Sequence, residues 1–323
     1  MDKSSIEMLE FPRVRERLAN YTSFPAGRDL ALSLQPVSDA EWVNLLLKQS
    51  AEARRLISVR PDFHIAESYD VREDVIRAQK GATLDTETLL KVMKTVTACR
   101  LARNGLSKMV GDLPALWGIV QEISVLAQVE GEIGKCVSPT GDILDSASPQ
   151  LAEVRWRMRD TRRQLQDRLG TIVKSKKGQD MLQEQLITER NGRYVLPVKV
   201  ESKRDLKGIV HDVSNTGATV FIEPLETVET GNELRQYEVQ ERQEIERILA
   251  VLSASVGASA EDIISNIGAL ARLDVALAKA YYAGKTRAVE PEIAGGTEGK
   301  ERVLKLVNAR HPLLKGEAIP LSV

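Results

Sequence analysis

Apolar residues recur every three or four positions along most of this chain, and one stretch breaks that rhythm. Ile6, Leu9, Val14 and Leu18 mark a first helical face, interrupted at Pro12. Pro25-Ala26-Gly27 reads as a turn, and Gly27 to Leu34 as a short helix closed by Pro36. Ser38 and Glu41 form a capping-box-like start for a helix carrying Trp42, Leu45, Leu46, Ala53 and Leu56. Further helices are expected over Asp70–Arg77, Asp85–Leu106 and Pro114–Gln128, with a loop from Gly131 to Gly141. Gly105 is read as ending or loosening its helix, and Gly284 as a helix end.

From Gln150 the pattern narrows. Leu151, Val154, Met158, Thr161, Leu165, Leu169 and Ile172 make a thin apolar stripe. Leu234, Tyr237, Glu241, Ile245, Ile248, Leu252 and Val256 make a second. Two such stripes can pair as an antiparallel seam. At about 1.5 Å per residue, a helix from Leu225 to Ser255 would reach about 45 Å. Ile263, Ile264, Ile267, Leu270, Leu273, Ala276 and Leu277 then give a broad face suited to a core helix. Val303 to Val307 is a short apolar run that could form a strand.

Between the two stripes lies the stretch with a different period. Asn191-Gly192 separates Leu186–Arg190 from Arg193–Val200, the strongest local hairpin signal because both turn residues take positive φ. Pro197 marks an edge. Ile209–Val213 and Ala218–Ile222 form a second pair around Asn215-Thr216-Gly217. The expected fold is mainly α, with a small antiparallel sheet at the tip of two long helices.

Net charge is −1, so any polyanion site must be local. Residues 151–210 hold fifteen Lys and Arg against eight Asp and Glu, a balance of +7, and residues 221–250 balance at −5. Lys199, Lys203, Arg204 and Lys207 crowd the connection between the two strand pairs, where a phosphate backbone could be gripped. Arg193 stands beside them, and Asn215 could bond a backbone oxygen, although a turn role also explains it. Cys99 and Cys136 have neither metal nor disulfide spacing, and His64, His211 and His311 are scattered. With no leader and no long apolar run, a cytoplasmic setting without membrane contact is expected. Trp42, Trp117 and Trp156 read as packing residues, Trp156 standing out among arginines.

The runs LEFPRVRERLANYTSFPAGRDLAL, ITERNGRYVLPVKVESKRDLKGIVHDVSNTGATVFIEP, GNELRQYEVQERQEIERIL and ARHPLL are together similar to the second MutS family, bacterial MutS paralogues that lack the mismatch-reading and connector domains. The resemblance implies a helical core or lever (1–149), an outgoing clamp helix (150–185), a β clamp tip (186–224), a returning helix (225–256), a helix back to the core (257–290), and a linker into an ATPase domain (291–323). It implies a clamp that closes on branched or recombining DNA in a homodimer and suppresses recombination. ATP and Mg would serve the whole protein, together with a nuclease-like domain. There is no GxxxxGK[ST] phosphate loop in these 323 residues, so catalysis, cofactor and metal are not expected within them. Members are also linked to stalled ribosomes, which leaves rRNA binding as an alternative, and a helical scaffold without polyanion binding as another. Phe221-Ile222-Glu223 matches the Phe-x-Glu string of mismatch readers, but a strand-end Phe packed under the sheet is the simpler reading.

Overall fold

The structure is a computed structural model and describes residues 3–293, 304–314 and 319–323. The chain divides into two compact units, Met1–Gly134 with Leu252–Val323, and Lys135–Val251. Among the described residues, no single helix is long and apolar enough to cross a membrane.

The first unit is built from α1 (Lys3–Met8), α2 (Phe11–Ala19), α3 (Pro25–Leu32), α4 (Ala40–Val59), α5 (Arg72–Gln79), α6 (Thr86–Ser107), α7 (Pro114–Val120) and most of α8 (Ala127–Cys136). Its centre is the helix Ala260–Thr286, buried on nearly every side by Ile263, Ile267, Leu270, Leu273, Leu277 and their neighbours. It packs against α2 to α7. This breadth of burial is what its wide apolar face dictates.

Two buried polar residues on that helix account for departures from the sequence pattern. Asn266 is 1% exposed; its Oδ1 accepts the Ser124 N–H and its Nδ2 donates to the Ser124 carbonyl, both at 2.8 Å. These bonds replace the helical ladder at Ser124. The single helix expected over Pro114–Gln128 therefore stops at Val120, and a new one occupies Ala127–Cys136, much of the expected loop. Asp274, fully buried, accepts the Ser23 N–H with both oxygens, at 2.9 and 3.0 Å. That bond fixes the entry to α3, so Pro25-Ala26-Gly27 forms a first helical turn instead of a separate turn. A Cβ on Gly27 would overlap the Asp274 carboxylate, which is why glycine stands there.

Other boundaries follow local chemistry. The α4 cap is Asp39, whose carboxylate accepts the Trp42 N–H at 2.7 Å, in place of Ser38. Gly105 lies inside α6, where a Cβ would press on Phe63 at 3.0 Å. Gly284 is likewise inside its helix, which ends at Arg287 with φ 54°. Trp42 is 47% exposed and is not a core residue. Residues 304–307 form no strand; Leu306 exchanges two backbone hydrogen bonds with Val323, and Ala309 bridges Leu321. Residues 294–303, with much of the expected linker, lie outside the described residues.

The second unit holds α9 (Pro149–Lys174), α10 (Lys176–Met181), β1 (Thr188–Arg190), β2 (Arg193–Lys199), β3 (Gly208–Val213), β4 (Thr219–Pro224) and the greater part of α11 (Leu225–Ala258); the core helix of the first unit is α12. The sheet is antiparallel in the order β1-β2-β4-β3. Asn191 and Gly192 take φ 52° and 70°, as the two-residue turn requires. Pro197 sits where β2 runs past the end of β1; its carbonyl accepts Gln183 N–H on that outer side, so the missing proline N–H breaks no ladder bond. One core joins Val154, Met158, Leu165, Leu169 and Val173 of α9 to Leu196, Val198, Val220 and Ile222 of the sheet and Leu234 of α11. Each large aliphatic buried there contributes about 1.5–3 kcal/mol.

Candidate nucleic-acid interface

The connection from β2 to β3 is a tethered loop. Val200–Ser202 forms a 3₁₀ turn, Lys203 N–H donates to the Val200 carbonyl at 3.3 Å, and Asp205 N–H to the Ser202 carbonyl at 2.9 Å. Leu206 packs against the core, and Gly208 starts β3 so close to β4 that a Cβ would overlap the Glu223 carbonyl and Ile222. With the apolar anchor turned inward, Lys203, Arg204 and Lys207 are left exposed, and none forms an ion pair among the described residues. Lys199 is half-buried and donates to the Asp180 carbonyl at 2.9 Å.

A second basic stretch joins them. The outgoing helix expected over 150–185 is two helices, because Ser175 stops α9 and caps α10, its Oγ accepting Gly178 N–H at 2.9 Å. A Cβ at Gly178 would overlap the Ile172 carbonyl, so the tight joint needs glycine. Lys174, Lys176 and Lys177 project from this joint, exposed and without ion pairs among the described residues. The Leu182–Val198 bridge and the Lys199 bond to Asp180 hold the joint against β2. Ser175 and Lys177 then share a cleft of about 440 Å³ with Asp205 and Leu206 of the loop. The run Lys174-Ser175-Lys176-Lys177 was the available signal; placing it inside one long helix hid the joint.

Arg193 and Asn215 do not stand with these cations. Arg193 Nη1 donates to Glu223 at 3.3 Å and its Nη2 to Asn232 at 2.7 Å. His211 meets the other Glu223 oxygen at 2.7 Å, brought there by the bulge between Val210 and Asp212. Glu223 is thereby buried between two basic partners, its side chain 3% exposed. Arg235 of α11 donates to the Asn191 carbonyl, tying the hairpin turn to the helix. Asn215 is exposed in the β3–β4 turn, where Ser214 makes the hydrogen bonds and Gly217 takes φ 72°. Phe221 is half-buried on the face opposite the core, with the Arg190 guanidinium 4.2 Å above its ring, so it is not packed under the sheet; its neighbour Ile222 is the core residue.

The arginines of α9 are mostly engaged, but only Arg155 and Arg162 of that helix pair with acids of α11 among the described residues. Ser148 Oγ donates to Glu244 at 2.6 Å, Arg155 Nε to Glu241 at 2.6 Å, and Arg168 Nη1 to Thr230 at 2.9 Å; Arg162 approaches Glu238 at 4.0 Å. The partners run in opposite sequence order, so α9 and α11 are antiparallel. Arg155 also pairs with Asp145 at 2.7 Å, Arg159 with Asp145 at 3.3 Å, and Arg163 with Asp160. The Arg155 hydrogen bond, helped by Arg159, holds the Asp145 carboxyl below its ordinary range; Arg247, helped by Ser148, does the same for Glu244. Trp156, 61% exposed, stands outside this ladder and outside the core.

No family model matches the chain. Curated proteins do, each named Endonuclease MutS2. The chain is 36% identical over all 323 residues to those of Pelotomaculum thermopropionicum and Symbiobacterium thermophilum, and 35% identical over 322 residues, 99% of its length, to that of Bacillus cereus. In each case it spans 40% of the relative's own length. The helical architecture with one small antiparallel sheet, and likeness along the full 323 residues, agree: the chain belongs to the MutS2 family.

Proposed function

We propose that the sheet end of the second unit is a clamp surface that grips a nucleic-acid backbone, with Lys174, Lys176, Lys177, Lys203, Arg204 and Lys207 as phosphate contacts and Lys199 beside them. The observation behind this reading is the contrast within the unit. The arginines of α9 are spent on neighbouring side chains, whereas these six cations stay exposed and unpaired, Lys177 lining the cleft and the others on the two segments that contribute to its wall. Cations on a loop and at helix ends, with no helix inserted in a groove, contact phosphates and offer little base readout, so binding is independent of sequence. In the whole protein, the same surface would embrace branched or recombining DNA as part of an ATP-driven dimer that restrains recombination. ATP, Mg and the cutting activity in the relatives' name belong to that proposal for the whole protein. Ribosome association draws no separate support from the geometry.

The test is binding of a DNA duplex by the chain and by its Lys203→Ala/Arg204→Ala/Lys207→Ala variant across a salt series. The variant should bind more weakly on every sequence, and its log K–log salt slope should flatten by up to about 0.9 per lost contact. An unchanged slope overturns the assignment.

A further inference from the structure

We infer that the cleft beside these cations seats one unpaired nucleotide of a bound strand, a step that rests on the phosphate-gripping reading above. Its chemistry fits neither a bare anion nor a metal ion. Ile172, Met181 and Leu206 supply apolar surface, whereas Arg168, Lys177 and Glu226 present both signs of charge, with Asp205 alongside. Lys177, Asp205 and Glu226 have no ion-pair partner among the described residues, and Arg168 spends only Nη1, on Thr230. An inorganic phosphate would be repelled by two carboxylates, and a cation by Arg168 and Lys177. A nucleobase matches what the cleft offers, with a flat face for the apolar side chains and an edge that mixes donors with acceptors for the charged ones. The volume of about 440 Å³ is in the range of small-ligand sites. The exposed lysines on either side would hold the phosphates that flank the base.

A base inside a duplex cannot reach such a cleft without leaving the stack, and leaving costs least where the base has no partner. The surface therefore selects strands with an unpaired nucleotide over plain duplex, by structure and not by sequence.

The experiment compares a short DNA duplex with the same duplex carrying one bulged 2-aminopurine, at one salt concentration. The chain should bind the bulged duplex about tenfold more tightly, and the probe's emission should change on binding. Thr171→Trp, which fills the cleft from an exposed position on α9, should reduce bulged-duplex affinity to the plain-duplex value, abolish the emission change, and leave plain-duplex affinity as it was. Equal affinity of the unsubstituted chain for both duplexes, with a silent probe, overturns this inference and leaves the phosphate reading standing. Free AMP bound as tightly as the bulged duplex overturns the assignment to a strand. Retention of neither duplex at low salt overturns the phosphate reading and this one with it.

Discussion

Arg193 on β2 donates to Glu223 on the neighbouring strand β4 at 3.3 Å, onto a carboxylate only 3% exposed. This makes Arg193 a support of the sheet. Arg193→Ala leaves Glu223 buried with one basic partner fewer and should cost about 3 kcal/mol in urea unfolding. The salt slope of DNA binding should stay unchanged; a slope flattened by about 0.9 would return Arg193 to the phosphate contacts.

The lysines at the α9–α10 joint should behave in the opposite way. Lys174→Ala/Lys176→Ala/Lys177→Ala should flatten the salt slope by up to about 2.7 and weaken binding on all sequences. All three are exposed, so the free energy of urea unfolding should change by less than about 0.5 kcal/mol per site.

Asp274 and Gly27 are coupled. Asp274→Ala strips the Ser23 N–H of its acceptor and should cost about 1–3 kcal/mol. Gly27→Ala drives a methyl into the same carboxylate and should cost about 1–3 kcal/mol. In the double variant the carboxylate is gone and the new methyl has room, so the loss should fall clearly short of the sum. Strict additivity in thermal melts would show that the two side chains do not share that space.

Asn266→Ala should be among the costlier single changes in the first unit, at about 2–3 kcal/mol, because it orphans both backbone groups of Ser124. Amide exchange at Ser124 should accelerate more than at the centre of α6. Equal acceleration throughout would mean global loosening and not a local opening.

Asp145 and Glu244 give the second unit an acid dependence of definite sign. Both carboxyls are held below their ordinary values of 3.8 and 4.5 in the folded chain. Their contribution to stability is therefore complete above about pH 4.5 and is lost as pH falls through the lower folded values. Asp145→Asn/Glu244→Gln should flatten the fall in urea midpoint below that pH and lower stability at neutral pH. An identical acid profile would place the titration elsewhere.

Much of the architecture was legible because its causes are local. Asn191-Gly192 specifies its hairpin with two residues, and the α9 stripe from Leu151 to Leu169 is buried where its spacing put it. What could not be read had distant causes. The break before α8 is made by Asn266, 142 residues from Ser124. The burial of Arg193 depends on Glu223, 30 residues on, and on a bulge that brings His211 to the same carboxylate. The charge split could be counted from the sequence, but not the partners that engage the arginines of α9. Arg155 and Glu241 are 86 residues apart, so the basic excess of α9 looked free when it is largely engaged.

The half-buried ladder between α9 and α11 and the bare lysines at the sheet end differ in how they meet salt. Mobile ions screen exposed charges over a Debye length of about 8 Å at physiological strength, but reach half-buried pairs such as Arg155–Glu241 much less. A rising salt gradient should therefore strip a bound polyanion from the tip while the two helices stay joined. On the clamp reading proposed above, release of a polyanion does not have to pass through unfolding.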